Sequence, residues 1–188
     1  MLLSSSDLNS PAPSDWVKRW LARLKAGSSV LDFACGYGRN TNYAVTQGMN
    51  ALAVDSDPSA VNSISPPAQR LLADLEHGDW PFAGRQFDAV MVCNYLFRPR
   101  LDLLMSLVAP GGILIYETFM VGNEVFGRPG SAKFLLKANE LYEAADRAAL
   151  LPIAFEQGFY ELPKPAMRQR ICAQRAPVNA EIFKSSVA

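Results

Sequence analysis

The stretch Val30–Thr41, VLDFACGYGRNT, carries the strongest structural signal in this chain of 188 residues. Its first residues, Val30–Ala34, form a short apolar run that is typical of a buried strand. Small residues stand at Ala34, Gly36 and Gly38, where they let the backbone approach a ligand and tolerate the dihedral angles of a tight turn. The stretch therefore predicts a strand, a tight turn and the start of a helix, with a ligand near the turn.

Strand and helix patterns alternate on either side of this stretch, which predicts an α/β fold with a mainly parallel sheet. Further strands are predicted at Ala51–Val54, Arg70–Ala73, Asp88–Cys93 and Ile113–Tyr116. The last two strands, Ile153–Tyr160 and Arg168–Gln174, are separated by a segment with two prolines and are expected to form an antiparallel hairpin. The chain thus predicts seven strands with a C-terminal hairpin at one edge of the sheet.

Helices are predicted at Ser14–Ala26, Arg39–Gln47, Pro58–Ile64, Pro99–Val108 and Asn139–Leu150. Ser14, Asp57 and Asn139 stand where a polar side chain is expected to cap a helix N-terminus. The tetrapeptide Ala109–Gly112, APGG, predicts a turn. The segment Glu117–Lys137 is rich in Gly, Pro and Phe and is too long for an ordinary connection, which predicts a functional loop or a partial lid.

Length and charge limit the classes of protein to which the chain can belong. We expect a flexible N-terminal tail over residues 1–13 and a single domain over residues 14–188. Lys plus Arg and Asp plus Glu number 18 each, so the formal net charge is zero. Because proteins that bind nucleic acid usually carry excess positive charge, a nucleic-acid partner is not expected.

The cysteines and the hydropathy of the chain indicate in which cellular compartment the protein is expected. The three cysteines, Cys35, Cys93 and Cys172, fit no zinc spacing and cannot all pair. They are expected to be buried free thiols in a reducing cytoplasm, and no metal site is predicted. No apolar run approaches the ~20 residues of a membrane span, and the N-terminus has no signal-peptide pattern. We therefore expect a cytoplasmic protein with no membrane partner.

Acidic residues lie at or near the ends of three successive predicted strands. Asp32 is near the end of the first, Asp55 ends the second and Asp74 follows the third. In open α/β sheets, ligands bind beyond the carboxyl ends of the strands, and a carboxylate at Asp55 can accept hydrogen bonds from both ribose hydroxyls of a nucleoside. Asp32 favours a cationic ligand over a pyrophosphate. The dinucleotide pattern G-x-G-x-x-G is also incomplete, since Thr41 stands where its third glycine would be.

VLDFACGYGRNT resembles motif I of class I S-adenosylmethionine-dependent methyltransferases, commonly written V-L-D-x-G-x-G-x-G, with Ala34 in place of the first glycine. The order of elements agrees with the Rossmann-like fold of that family. The resemblance implies S-adenosylmethionine as cofactor, with Asp55 on the ribose, and Asp74 and Leu75 on the adenine. It implies that the residues after the fourth strand contact the methionine part. The full set of expected cofactor residues is Asp32, Ala34, Cys35, Gly36, Gly38, Arg39, Asn40, Asp55, Ser56, Asp74, Leu75, Asn94 and Tyr95.

The segment after the fifth strand resembles a stretch in small bacterial methyltransferases, some of them grouped with tellurite-resistance methyltransferases. Within it, Glu117 and Asn123 are candidates to face the acceptor, because polar groups near an apolar pocket orient a ligand. Phe119 and Phe126 are expected to pin the segment to the sheet. The only histidine, His77, is expected in an exposed turn and not in catalysis.

These observations predict a methyltransferase that moves the methyl group of S-adenosylmethionine to a small-molecule acceptor by in-line displacement. No catalytic residue is assigned, because a general base is needed only where the acceptor is protonated. A non-catalytic regulatory protein that binds S-adenosylmethionine and an RNA methyltransferase are the alternatives. An NAD-dependent oxidoreductase is disfavoured by Asp32 and by the missing third glycine. The acceptor atom and the oligomeric state are left open.

Overall fold

A computed structural model describes residues 12–180 and shows one mixed seven-stranded sheet. Residues 1–11 of the expected N-terminal tail lie outside the described residues. The strands are β1 Ser29–Phe33, β2 Asn50–Asp55, β3 Gln69–Leu72, β4 Phe87–Cys93, β5 Val108–Phe119, β6 Leu150–Tyr160 and β7 Ala166–Arg175. The helices are α1 Asp15–Leu21, α2 Arg39–Thr46, α3 Pro58–Ser63, α4 Leu101–Ser106 and α5 Glu140–Arg147.

The strands lie in the order β3-β2-β1-β4-β5-β7-β6. The first five pair in parallel, and β7 is inserted antiparallel between β5 and β6. The chain runs outward from β1 to β3 and then returns to the other side of β1 for β4, so the strand order reverses between β1 and β4. The predicted Rossmann-like sheet with a C-terminal antiparallel hairpin is confirmed.

Both faces of the sheet are covered by helices, because successive strand residues point to opposite faces. Val30 belongs to a core shared with Trp16 of α1 on one face. Its neighbour Leu31 belongs to the core on the other face, which includes Leu104 of α4 and Leu141 of α5. None of the helices within residues 12–180 has the length and apolar character needed to cross a bilayer.

All five helices are shorter in the structure than predicted, and the first and fourth show why. The first ends at Leu21 rather than Ala26, because the N–H groups of Arg23 and Leu24 donate to carbonyls three residues back, which tightens the last turn. The fourth starts with a 3-10 turn at Arg98–Arg100 and continues as α4.

The predicted turn Ala109–Gly112 is wrong as a separate element, because it forms an irregularity inside the long strand β5. In the pairing of β4 with β5, Phe87 lies opposite Val108, and the next pair is Ala89 with Ile113. Four residues of β5 are therefore bulged opposite one residue of β4. A Cβ at Gly112 would lie 2.9–3.0 Å from three backbone carbonyl oxygens. Only glycine fits there without a shift of the backbone, so the strand continues through the APGG segment.

The segment after β5 begins at Met120 and is fastened to α5 by Arg98. The guanidinium donates to the carbonyls of Lys133 at 2.9 Å and Leu135 at 2.7 Å. It also donates to the Glu140 carboxylate at 2.8 Å, and Glu140 accepts the N–H of Lys137 at 2.7 Å. These contacts fix the segment to the body of the domain.

Of the three predicted helix caps, Ser14 and Asp57 accept backbone N–H groups of their helices. Asn139 precedes α5 but does not cap it with its side chain. The backbone of Asn139 is in the left-handed region, with φ 61°. Its side-chain Oδ1 accepts a hydrogen bond from Nε2 of Gln157 in β6 at 2.9 Å. A long-range contact with the hairpin therefore replaces the local cap.

The turn between β1 and α2 requires glycine at Gly38, which has φ +77°, and a Cβ there would overlap with Cδ1 of Ile64, whose side chain is buried. We expect Gly38→Ala to lower the free energy of unfolding by about 2–5 kcal/mol, from left-handed strain of about 1–2 and overpacking of about 1–3. Urea denaturation measures the loss.

Gly84→Ala is the matched control, since Gly84 has φ +71° but open space around its Cβ position. It should show the left-handed strain alone. Equal losses in the two variants would contradict the packing role assigned to Gly38.

Candidate cofactor-binding site

A cavity of about 690 Å³ opens at the carboxyl ends of β1, β2, β3 and β4. Its size falls within the range of small-molecule and cofactor sites. It is lined by Asp32, Ala34, Cys35, Gly36, Tyr37, Arg39, Asn40, Asp55, Ser56, Asp74, Leu75, Glu76, His77, Cys93, Asn94 and Tyr95. The structure thus brings together every residue predicted to bind the cofactor except Gly38. Gly38 lies in the turn after β1 but does not line the cavity.

Asp55 joins the end of β2 to the turn that follows β1. Its Oδ2 accepts the N–H of Gly36 at 2.8 Å, and its Oδ1 accepts the N–H of Asp57 at 3.0 Å. Because each carboxylate oxygen can accept more than one hydrogen bond, both oxygens keep capacity for a ligand. A diol at this end of the cavity would meet two acceptors on one rigid carboxylate.

Asp74 orders the turn that closes the cavity beyond β3. Its Oδ1 accepts the N–H groups of Glu76 at 2.8 Å and His77 at 3.0 Å, and these bonds hold the pKa of Asp74 below its usual value. The Nδ1 of His77 lies 3.2 Å from the other carboxylate oxygen. The His77 side chain is 76% exposed, so the predicted exposed turn is observed, although the residue also lines the cavity rim.

Asp32 is almost completely buried, with 1% exposure, at the inner wall of the cavity. Thr41 Oγ1 donates to its carboxylate at 2.6 Å. Burial raises the pKa of Asp32 to about 6, and the hydrogen bonds from Thr41 and the charge of Arg39 limit the increase. A buried carboxylate with so little compensation favours a cation in the adjacent cavity.

Two side chains after β4 complete the site. Asn94 has φ 57°, and its Oδ1 accepts Nη1 of Arg168 at 2.8 Å. The ring of Tyr95 packs edge-on against Phe33 at 5.6 Å. Its hydroxyl is buried and has no hydrogen-bond partner among residues 12–180.

The chain before α1 runs along one rim of the cavity. The N–H of Ser14 donates to Asn40 Oδ1 at 3.0 Å, and Arg39 Nη1 donates to the carbonyl of Ala12 at 2.9 Å. The two α2 side chains in these hydrogen bonds, Asn40 and Arg39, both line the cavity. The start of α1 and the turn after β1 therefore form one connected wall.

Neither residue predicted to face the acceptor lines the cavity. Asn123 lies inside its own segment, where Nδ2 donates to the carbonyl of Pro129 at 3.0 Å and Oδ1 accepts the N–H of Met167 at 3.1 Å. Its polar groups are satisfied by backbone, so it stabilises the segment. Glu117 is buried, with Oε2 3.1 Å from Nε of Arg170. It balances the charge of a residue on the hairpin.

The sequence patterns did not predict a role for Arg168 or Arg170 of β7. Arg168 pairs in register with Phe119 and Arg170 with Glu117, and Arg168 reaches Asn94 at one end of the cavity. The guanidinium of Arg168 lies 4.2 Å from the centre of the Phe119 ring. Burial lowers the pKa of Arg168, the charges of Arg170 and Arg39 lower it further, and that of Glu117 raises it.

The aromatic side chains of this region contact the hairpin. Phe119 lies under Arg168. Phe126 packs on Phe159 of β6 with ring centres 5.3 Å apart. The expectation that these two phenylalanines pin the segment to the sheet agrees with these contacts, although Phe126 is 43% exposed.

All three cysteines are free, and Cys172 is buried as expected. Cys35 and Cys93 differ from the expectation, because they are only half-buried and line the cavity. Desolvation raises the pKa of both thiols, and the nearby charges of Asp32 and Glu117 contribute. The thiols are protonated at neutral pH and are poor nucleophiles.

The fold and site define an α/β protein with a cavity of cofactor size at the point where the strand order reverses. Residues 9–149 match the family model described as methyltransferase domain. Because this match covers well over half of the chain, the chain belongs to the methyltransferase domain family. The predicted family is confirmed, and its cofactor is S-adenosylmethionine, as the sequence predicted.

Solved structures share the fold. TehB from Haemophilus influenzae superposes with a TM-score of 0.73 at 18% identity, over 91% of this chain and 65% of that chain. A 1,6-didemethyltoxoflavin-N1-methyltransferase from Burkholderia thailandensis, solved with 1,6-didemethyltoxoflavin and S-adenosylhomocysteine, superposes with a TM-score of 0.63 at 17% identity. That match covers 91% of this chain and 81% of the other.

A curated relative is similar in sequence over a shorter stretch. The ribosomal protein L11 methyltransferase of Burkholderia lata is 38% identical over 100 residues, which are 50% of this chain. The match spans 33% of that relative's length.

The buried Asp32 should make the ligand-free protein less stable as the pH rises. Its folded pKa of about 6 exceeds the reference value of 3.8, so the folded state binds the proton more tightly between these values. The free energy of unfolding contributed by Asp32 therefore falls across that window, by roughly 3 kcal/mol. Asp32→Asn can still accept from Thr41, and we expect it to be more stable than the wild type at pH 7 but not at pH 4.

Urea denaturation of the ligand-free protein between pH 4 and 7 measures this difference. Asp79→Asn, a change at an exposed residue, should follow the wild-type curve. Parallel pH curves for the wild type and Asp32→Asn would refute the assigned burial cost.

Proposed function

We propose that this protein transfers the methyl group of S-adenosylmethionine to a small-molecule acceptor. The observation that carries the proposal is that Asp32, Asp55 and Asp74, at the ends of three adjacent strands, line a single cavity. S-adenosylmethionine has a ribose diol and two cationic groups, an ammonium and a sulfonium. It matches a site with three carboxylates better than a pyrophosphate cofactor does.

Each cavity residue has a role in this proposal. Asp55 accepts hydrogen bonds from the ribose hydroxyls. Asp74 and the backbone N–H of Leu75 bind the adenine, and the Tyr95 side chain lines the cavity beside the cofactor. Asp32 favours the methionine ammonium through its charge.

The remaining predicted residues form the walls between these contacts. Ala34, Cys35 and Gly36 offer backbone close to the ligand, and Ser56 flanks the ribose carboxylate. Arg39, Asn40 and Asn94 lie at the end that faces the acceptor. Bound S-adenosylmethionine supplies an activated methyl group on a cationic sulfur, and this chain aligns the acceptor with it and excludes water.

Three features support a small acceptor. The cavity is of a size that suits small ligands, the net charge is zero, and the Burkholderia thailandensis neighbour was solved with a small heterocycle. Half of this chain is also similar to ribosomal protein L11 methyltransferases, which makes a protein acceptor the second candidate.

Asp55→Asn should weaken binding of S-adenosylhomocysteine by about 10- to 100-fold, because a charged acceptor for the ribose is replaced by an amide. Isothermal titration measures the affinity. The 2′-deoxy form of S-adenosylhomocysteine should bind the wild type more weakly than S-adenosylhomocysteine does. Its affinity for Asp55→Asn should be little lower than its affinity for the wild type.

Asp57→Asn is the matched control, since Asp57 lies outside the cavity lining and asparagine also caps helices. Its affinity should equal that of the wild type. Equal affinities of Asp55→Asn and wild type would remove Asp55 from the proposed site.

Methyl-labelled S-adenosylmethionine tests the acceptor class. The purified full-length protein is incubated with the label and with separate fractions of dialysable metabolites, ribosomal proteins and total RNA. We expect label in the dialysable fraction, and a strong reduction with Asp55→Asn at a cofactor concentration near the wild-type dissociation constant.

Label confined to ribosomal proteins would establish the second candidate, and label confined to RNA would establish the RNA alternative. Cofactor binding without label in any fraction would favour the regulatory protein.

A further inference from the structure

Two arginines near the acceptor end of the cavity, Arg168 and Arg39, are paired with no acidic side chain in the described part of the chain. Arg168 donates one N–H to Asn94 Oδ1 at 2.8 Å, and Arg39 donates one to the carbonyl of Ala12 at 2.9 Å. Neither forms an ion pair with any carboxylate in residues 12–180. Because a guanidinium has five N–H donors, most of the donor capacity of Arg168 is unused by the described part of the chain.

Arg170, two residues along β7, shows the contrast. Its guanidinium lies 3.9 Å from the centre of the Tyr160 ring and pairs with Glu117. Arg170 and Glu117 therefore form a neutral, packed pair. Arg168 forms no such pair with a carboxylate of residues 12–180, although it is partly buried and close to the same elements.

The orientation of Arg168 is restrained before any ligand binds. Phe119 packs under the guanidinium at 4.2 Å, and Asn94 holds one N–H group. A guanidinium held on an aromatic ring presents its edge, with its N–H groups in a planar fork. Since Asn94 lines the cavity, this edge lies beside the end at which the acceptor is proposed to bind.

We propose that the methyl acceptor carries a carboxylate, and that the Arg168 guanidinium binds this carboxylate beside Asn94. The planar fork of an arginine matches the two oxygens of a carboxylate. Arg39, on the cavity wall, adds a second positive charge.

This inference rests on the proposed function, because it places the acceptor at the Asn94 end of the cofactor cavity. It makes Arg168 a specificity residue. A carboxylate bound at a fixed point restricts the acceptor to orientations in which its nucleophilic atom faces the cavity. Such anchoring converts part of the acceptor's binding energy into alignment for transfer.

A bisubstrate analogue tests the inference without knowledge of the natural acceptor. A tertiary amine replaces the sulfur of S-adenosylhomocysteine and carries a third alkyl arm that ends in a carboxylate. The matched compound ends in a carboxamide of the same shape. In a series of arm lengths, we expect the carboxylate to bind wild type about tenfold or more tightly than the carboxamide at the best length.

Arg168→Gln should abolish this preference, and Arg168→Lys should retain part of it, because the charge persists without the fork. Both variants should bind S-adenosylhomocysteine as the wild type does. Arg147→Gln removes the same charge from a separate cavity with Asp102 and Arg175, and it should leave the preference intact.

Equal affinity of the carboxylate and carboxamide compounds at every arm length would overturn the inference. A preference that survives Arg168→Gln would also overturn it, as would a parallel loss of S-adenosylhomocysteine binding. Failure of the wild type to bind S-adenosylhomocysteine at all would instead refute the proposed function.

Discussion

Strand β1 pairs in parallel with β2 on one side and with β4 on the other. The chain continues from β2 to β3 away from β1, and from β4 to β5 away from β1 in the opposite direction. No connecting segment needs to cross the carboxyl end of β1, so a cavity opens there. The hydrogen bond from the N–H of Gly36 to Asp55 ties the turn after β1 to the end of β2. The positions of the other cavity residues depend on this arrangement, because each of them follows a strand or starts the helix at the same edge.

The cavity carries an energetic cost that its ligand can offset. Asp32 is ionised at neutral pH although it is buried, and Thr41 and Arg39 compensate only part of the desolvation. A cation near Asp32 would relieve that cost. A buried carboxylate that the protein compensates only in part therefore supplies some of the binding energy for a cationic ligand.

The sequence predicted those features that depend on local patterns. Asp55 and Asp74 could be placed in one site because each ends or follows a strand, and the ends of parallel strands meet at one edge. Arg168 could not be placed, because its contact with the cavity depends on the pairing of β7 with β5. That register joins residues about 50 positions apart, Phe119 with Arg168 and Glu117 with Arg170. The contacts of Asn123 could not be predicted for a related reason, since its partners in the segment and on β7 do not follow from its own neighbours in the chain.

The charges of the site are divided between its two ends in the proposed assignment. Carboxylates surround the nucleoside and ammonium positions. The guanidinium groups of Arg39 and Arg168, which form no ion pair within residues 12–180, lie at the acceptor end. The positive charge on sulfur disappears as the methyl group moves, so nearby cations disfavour the ground state more than the transition state. The same cations oppose binding of the cationic cofactor when the acceptor is absent. An acceptor carboxylate on Arg168 removes part of that repulsion, and by linkage each ligand then favours binding of the other.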